Sequence, residues 1–208
     1  MPSFGLSPYQ QLVAEWKDCR RCPLWETRTR VVMCKGTLPA DVAFVGEAPG
    51  EAEDTLGLPF VGPAGQMLDD WVKRALQPWQ VPGTEGPDYN SVTYAYMNLL
   101  ACIPRDEAGE KVHEPEPDSV DACAPRLRAL VAIAQPKLVV CVGAVAASWT
   151  DPKYQNNIVF NHPDGSRISR IAIDHPARVL RAPVAHRGLM AQRAIVQIRT
   201  AVEQALFF

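Results

Sequence analysis

Residues 42–65 read VAFVGEAPGEAEDTLGLPFVGPAG, and the fold turns on them. An apolar run, VAFVG, breaks into a glycine-, proline- and acid-rich segment where a buried strand would end. Short β-rich apolar runs that stop in Gly, Pro or polar residues are how strands covered on both faces read. Three more stretches share the pattern, which predicts strands over 41–47 (DVAFVGE), 93–100 (TYAYMNLL), 137–143 (KLVVCVG) and 167–174 (RISRIAID). Helices are expected between and around them. Met67, Leu68, Trp71, Val72 and Leu76 recur at helical spacing within 64–76, and 119–134 follows a capping Asp118. Further helices are expected over 7–17 and 189–206. Strands alternating with helices predict an α/β three-layer sandwich, with a central four-stranded, mainly parallel sheet between helices. Long loops are expected over 77–90 and 103–117. Ligands of such sheets sit outside the carboxyl ends of the strands, so 46–65 is the first candidate site.

With 208 residues, 47% of them hydrophobic, the chain suits one well-buried domain over residues 1–208. No apolar run approaches the roughly 20 residues that span a bilayer. The opening MPSFGLSPYQQLVAEWKDC lacks the basic and apolar regions of a signal peptide, so a soluble, cytoplasmic protein is expected. A net charge of −2 argues against a wholesale basic nucleic-acid binder, but it conceals an asymmetry. Residues 41–121 hold 16 acidic and 4 basic side chains, a net of −12; residues 165–208 hold 7 arginines against Asp174 and Glu203, a net of +5. A polyanion would be met by the C-terminal segment. Each arginine taken singly reads as well as decoration of a solvated helix.

Six cysteines in an intracellular chain are better read as buried, catalytic or metal-bound than as disulfides. Cys19 and Cys22 form CRRC, Cys102 follows the second expected strand, and Cys123 lies in the helix after it. A CxxC pair and two distant cysteines can converge on one metal centre, and iron–sulfur or zinc both fit that count. CxxC also serves redox chemistry, and lone cysteines are commonly inert. Cys141 in VVCVG reads as packed, and Cys34 in VVMCKG as structural.

With these pieces placed, the chain resembles the iron–sulfur, family 4 branch of the uracil-DNA glycosylases. CRRCPLWETR, FVGEAPGEAEDTLGLPFVGPAG, MNLLAC, DSVDACAPRL, VVCVG and DHPARVLR occur in the family's order between about Cys19 and Arg181. The resemblance implies a [4Fe-4S] cluster on Cys19, Cys22, Cys102 and Cys123, uracil-containing DNA as partner, and excision of uracil to leave an abasic site. It implies DNA repair, expected in the cytoplasm at the nucleoid; no motif positions a lysine for Schiff-base chemistry, so no strand cleavage is expected, and nothing demands more than a monomer.

The same resemblance distributes roles. Gly46, Ala48 and Gly50 would floor a pocket for an extruded nucleotide, since glycines let backbone approach it closely. Glu47 would orient water and stabilise an oxocarbenium-like sugar. Phe60, in a hairpin-like GLPFVG, would stack on the base. Asn98 would read uracil N3–H and O4, a pattern that cytosine reverses. His175 would donate a hydrogen bond to uracil O2. Leu180 would fill the vacated base position, with Arg178 and Arg181 on phosphates.

Three departures stand out: Ala101 where the family often has lysine, Pro63 where it has arginine, and a long acidic loop over 103–122. The loop would repel DNA unless it points away. Two alternatives follow. His113 in GEKVHEPEP could capture uracil-DNA covalently, as another branch does from a basic loop at this place, although that branch has Gln at the position of Ala48. The chain could also be a DNA-binding relative without turnover.

Overall fold

A computed structural model describes residues 5–77, 87–151, 153, 158, 160–162 and 164–208. Residues 78–86 of the expected 77–90 loop lie outside the described residues. The sheet contains the four expected strands and one more: β1 (Lys35–Gly36), β2 (Val42–Gly46), β3 (Tyr94–Asn98), β4 (Leu138–Val142) and β5 (Ser169–Ile173). Their order is β1-β3-β2-β4-β5, with β1 antiparallel on the edge and every other pairing parallel. The expected four-stranded sheet is thus corrected to five. β1 is two residues long and carries a lysine, so no apolar run announces it.

Seven helices surround the sheet among the described residues: α1 (Pro8–Trp16), α2 (Glu51–Leu56), α3 (Pro63–Ala75), α4 (Pro117–Ala134), α5 (Ala144–Trp149), α6 (Pro176–Arg181) and α7 (Val184–Leu206). Strand alternation assigns them to layers. On β2 and β4, Val42, Phe44, Leu138, Val140 and Val142 join Leu68, Trp71 and Val72 of α3 and Ile195, Ile198 and Val202 of α7. Ala43, Val45, Val139 and Cys141 point the other way, onto Leu12 and Trp16 of α1 and Val120, Leu127 and Leu130 of α4. Cys34 and Cys141 are buried in this second layer, as expected.

Local chemistry sets the helix ends. Ser7 caps α1 in a reciprocal box with Gln10: Gln10 N donates to Ser7 Oγ at 3.2 Å, and Ser7 N donates to Gln10 Oε1 at 2.8 Å. Glu116, not Asp118, is the N-cap of α4, because Pro117 has the φ of a first helical residue and needs no donor there. α7 starts at Val184, five residues before the expected start at Leu189. Arg199 of α7 donates to the carbonyls of Arg74, Ala75 and Gln77 at 2.9–3.0 Å, satisfying the open end of α3. GLPFVG is a turn between α2 and α3 rather than a hairpin. The RVLR stretch, residues 178–181, is the body of α6.

After β2 the chain crosses to β3 on one side of the sheet, and after β3 to β4 on the other. This reversal makes the carboxyl ends of β2, β3 and β4 a topological switch point, the position at which open parallel sheets leave a crevice.

Candidate functional site

A cleft of about 440 Å³ opens at that switch point. Its wall includes Glu47, Ala48, Gly50, Phe60, Asn98, His175 and Arg181, seven residues that the sequence reading nominated. They come from the end of β2 and the loop after it, the end of β3, the α2–α3 turn and the two ends of α6, so the fold brings them together over as many as 134 positions. Gly46 lies beneath. A Cβ on it would overlap Asn98 Oδ1 and sit 2.5 Å from Phe60 Cζ, so only glycine allows the amide and the ring to meet there. Gly143, at φ +98, plays the same part below His175: a Cβ there would lie 3.0 Å from the histidine Cβ.

Asn98 is 3% exposed. Its main-chain carbonyl accepts from Arg126 NH2 at 2.5 Å, and the next carbonyl, of Leu99, accepts from the same nitrogen at 2.9 Å. Arg126 is fully buried on α4, and its Nε donates to Cys123 Sγ at 3.3 Å. One guanidinium therefore links a cysteine of the expected metal set to the end of β3.

Glu47 is half-buried, and its pKa is raised above the ordinary 4.5, by burial first and by the Glu114 carboxylate second. His175 shifts the other way: burial, then Arg181, lowers its pKa below 6.5, while Glu53 opposes. The imidazole is therefore neutral near pH 7. Its Nδ1 accepts from Ala177 N at 3.1 Å as the cap of α6, so the proton sits on Nε2 and is free to be donated.

The acidic 103–117 loop does not point away. Arg105 ties it to α2 by ion pairs to Asp54 (3.3 Å) and Glu51, and to the Thr27 carbonyl at 2.8 Å. Pro104, Val112 and His113 thereby line the cleft. His113 Nδ1 meets the Glu114 carbonyl at 2.6 Å, and its pKa is raised, mainly by that hydrogen bond and further by Glu116 and Asp106.

Cys19, Cys22, Cys102 and Cys123 line one crevice with Trp16, Arg21 and Arg28, apart from the cleft. Arg28 NH1 donates to Cys102 Sγ at 3.2 Å. Burial pushes the Cys102 thiol up to about 11 against the pull of Arg28. Among the described residues, no group of three or more His, Cys, Asp or Glu side chains is placed to hold a metal ion.

Two expected DNA contacts are not at the cleft wall. Arg178 is exposed and ion-paired with Asp174. Leu180 is half-buried on α6. Of the C-terminal arginines, Arg170, Arg187 and Arg199 serve main-chain carbonyls inside the protein. Sequence reasoning missed Glu53, Lys35 and Arg126. For Arg126 a signal exists: an arginine three positions after Cys123, on the face that carries Val120, Leu127 and Leu130, needs a buried partner.

Residues 35–198 match the model of the uracil DNA glycosylase superfamily. The chain belongs to the uracil DNA glycosylase superfamily. The matched stretch contains every cleft residue, and also Cys102 and Cys123, but starts after Cys19 and Cys22. Among superfamily relatives, the type-4 uracil-DNA glycosylase of Archaeoglobus fulgidus is 31% identical over 183 residues, covering 83% of each chain. That of Pyrobaculum aerophilum is 30% identical over 80% of this chain and 82% of its own. That of Sulfurisphaera tokodaii is 33% identical over 148 residues, which are 71% of this chain and 60% of the relative. The chain thus spans three fifths of the last relative's length and more than four fifths of the other two.

Proposed function

We propose that the protein is a monofunctional uracil-DNA glycosylase that hydrolyses the N-glycosidic bond of uracil in DNA and leaves an abasic site. The observation that carries the reading is the convergence of Glu47, Phe60, Asn98 and His175 on one cleft at the switch point. The type-4 relatives named above support the substrate. The assignment of a role to each residue is part of the proposal.

In this reading the nucleotide is extruded from the stack and the base enters over Gly46. Phe60 stacks on one face, and the Asn98 amide pairs with N3–H and O4. As the C1′–N1 bond breaks, its electron pair passes to the uracil ring, and His175 Nε2–H donates to O2 where that charge gathers. A neutral donor suffices and avoids placing a full cation in the pocket. Glu47, as carboxylate, faces the positive sugar and orients the water whose oxygen bonds to C1′; one proton of that water passes to the Glu47 carboxylate and from there balances the departing uracil anion, and the other stays on the new hydroxyl. Arg181 at the rim is suited to a phosphate, with Arg178 and Leu180 acting at the duplex outside the cleft wall. A single domain over residues 1–208, working as a monomer in the cytoplasm at the nucleoid, meets these demands.

The cysteine crevice suits an anionic [4Fe-4S] cluster. Four sulfurs share it, guanidiniums stand on Cys102 and Cys123, and Arg126 NH1 is buried without a hydrogen-bond partner among the described residues. A cubane is a larger body than one ion, so its ligands need not converge at single-ion distance. Bound, the cluster would brace the segment before β1, the end of β3 and α4, with no part in hydrolysis.

A second reading has one observation in its favour. His113 lies on the cleft wall with Nδ1 committed to a carbonyl, which leaves the Nε2 lone pair of the neutral form available for attack on C1′. Its raised pKa works against that form. Both readings are tested by running a uracil-containing oligonucleotide on a denaturing gel after incubation, with and without alkali. Alkali-dependent cleavage over many turnovers supports hydrolysis. A shifted band that survives denaturation and vanishes in His113→Ala supports capture. Intact substrate refutes both, and leaves a DNA-binding relative.

A further inference from the structure

Phe60 has φ +54, the left-handed region that L side chains other than Asn, Asp and His rarely occupy. A bulky aromatic there persists only where its surroundings over-determine it, and such residues concentrate at functional sites. The surroundings are explicit. The two amides after Phe60, Val61 N and Gly62 N, donate to Glu53 Oε1 at 3.1 and 2.9 Å. The other oxygen, Oε2, accepts from Gly50 N at 3.1 Å. The Phe60 carbonyl accepts from Lys35 Nζ at 2.9 Å. Lys35 is itself held by Asp69 at 3.3 Å and by the Tyr96 ring, 4.4 Å below its ammonium. Glycines make room for this arrangement: a Cβ on Gly50 or Gly62 would stand 2.9 or 3.2 Å from the Glu53 oxygens, and one on Gly65 would overlap the Phe60 backbone.

We infer that Glu53, assisted by Lys35, is a positioning residue that acts through Phe60. It clamps the glycine loop after β2 to the α2–α3 turn and so fixes the ring as the stacking wall for the extruded base. The inference rests on the reading of the cleft as a uracil pocket. A carboxylate is required, because both oxygens accept from amides on separate segments. Glu53→Gln keeps one acceptor for Val61 and Gly62 but turns an NH2 toward Gly50 N–H, donor against donor. The same change removes a carboxylate that raises the His175 pKa, which leaves that imidazole neutral, so a loss near pH 7 does not run through His175.

Stacking a base on an aromatic ring is worth roughly 5- to 150-fold in affinity. Misaiming the ring by Glu53→Gln is therefore expected to raise KM for uracil-DNA, and the inhibition constant of free uracil, about tenfold, with kcat changed about threefold or less. Lys35→Met should act in the same direction more weakly. The deciding measurement is a double-mutant cycle with Phe60→Ala. If Glu53 works through the ring, Glu53→Gln adds almost nothing to the KM of Phe60→Ala. Additive losses, or a fall in kcat alone, overturn the inference. A second measurement needs no substrate: para-fluorophenylalanine at position 60, read by fluorine NMR, should give one resonance that shifts or splits in Glu53→Gln and Lys35→Met. An unmoved resonance overturns the clamp even if uracil is excised. A protein that excises no uracil refutes the proposed function and leaves the NMR result to judge the clamp.

Discussion

Gly46→Ala adds one methyl group at the carboxyl end of β2, the point on which the proposed pocket rests. On the existing backbone the new Cβ overlaps Asn98 Oδ1 and lies 2.5 Å from Phe60 Cζ and 3.2 Å from Cε2. Non-bonded carbons settle at roughly 3.5–4.0 Å, so the amide, the ring or both must yield by about 1 Å. The strand cannot give way for them. Gly46 is in register with Asn98 on β3, and its carbonyl accepts from Leu99 N at 2.9 Å. Overpacking of a tightly held site costs about 1–3 kcal/mol, which lowers Tm by roughly 2–12 °C in a protein of this size. A misplacement of about 1 Å at a binding group costs about 100-fold in rate. Calorimetry and kcat/KM on a uracil-containing oligonucleotide, at one pH and salt concentration, should show both losses. Gly188→Ala is the control, since it lies in α7 with no heavy atom within 4 Å of the new Cβ. It should leave activity unchanged and add up to about 1 kcal/mol of stability. Gly46→Ala with kcat/KM within about threefold of the parent would refute the placement of Asn98 and Phe60 around one bound base.

Three further outcomes are expected. The raised pKa of Glu47 means its contribution to stability is complete below 4.5 and lost as pH rises through the folded-state value, so Glu47→Gln should be nearly neutral at pH 4 and stabilising at pH 7 while activity collapses; a Tm difference independent of pH would contradict it. Asn98→Asp should relax or invert the choice between uracil and cytosine by about 1–3 kcal/mol, measured as a ratio of kcat/KM values on matched oligonucleotides, and an unchanged ratio would remove Asn98 from recognition. Arg126→Leu strips the donors from Cys123 Sγ and from the carbonyls of Asn98 and Leu99, at about 1–3 kcal/mol for each buried group left unpaired. Tm and iron content should fall together; unchanged iron and colour would dissociate the guanidinium from the cysteine crevice.

The parallel core was legible because each central strand is an apolar run bounded by polar or helix-breaking residues, and β2–β5 fall inside the four expected spans. β1 was not, since two residues carry no periodicity. α2 was not, since EAEDTL has no apolar stripe; its inward side chains, Glu53 and Asp54, are acids that bind amides and Arg105. The site was legible where a residue ends a strand or sits in a motif: Glu47, Phe60, Asn98 and His175 all reached the cleft. Residues that act on others were not, because their partners are distant in the chain: Lys35 with Phe60, and Arg126 with Asn98. The basic C-terminal segment misled in detail, because several of its arginines satisfy carbonyls inside the protein. Charge counting cannot separate such arginines from those that face a polyanion.

The central claim is that one cleft cuts uracil, and not cytosine, from its sugar. Its most direct test is to count the free base released per protein molecule from an oligonucleotide carrying one uracil, with a matched cytosine strand alongside. The account predicts many uracils per protein molecule, an equal number of alkali-labile sites and no cytosine. No free base, at most one covalently trapped strand per protein, or equal release of cytosine would contradict it.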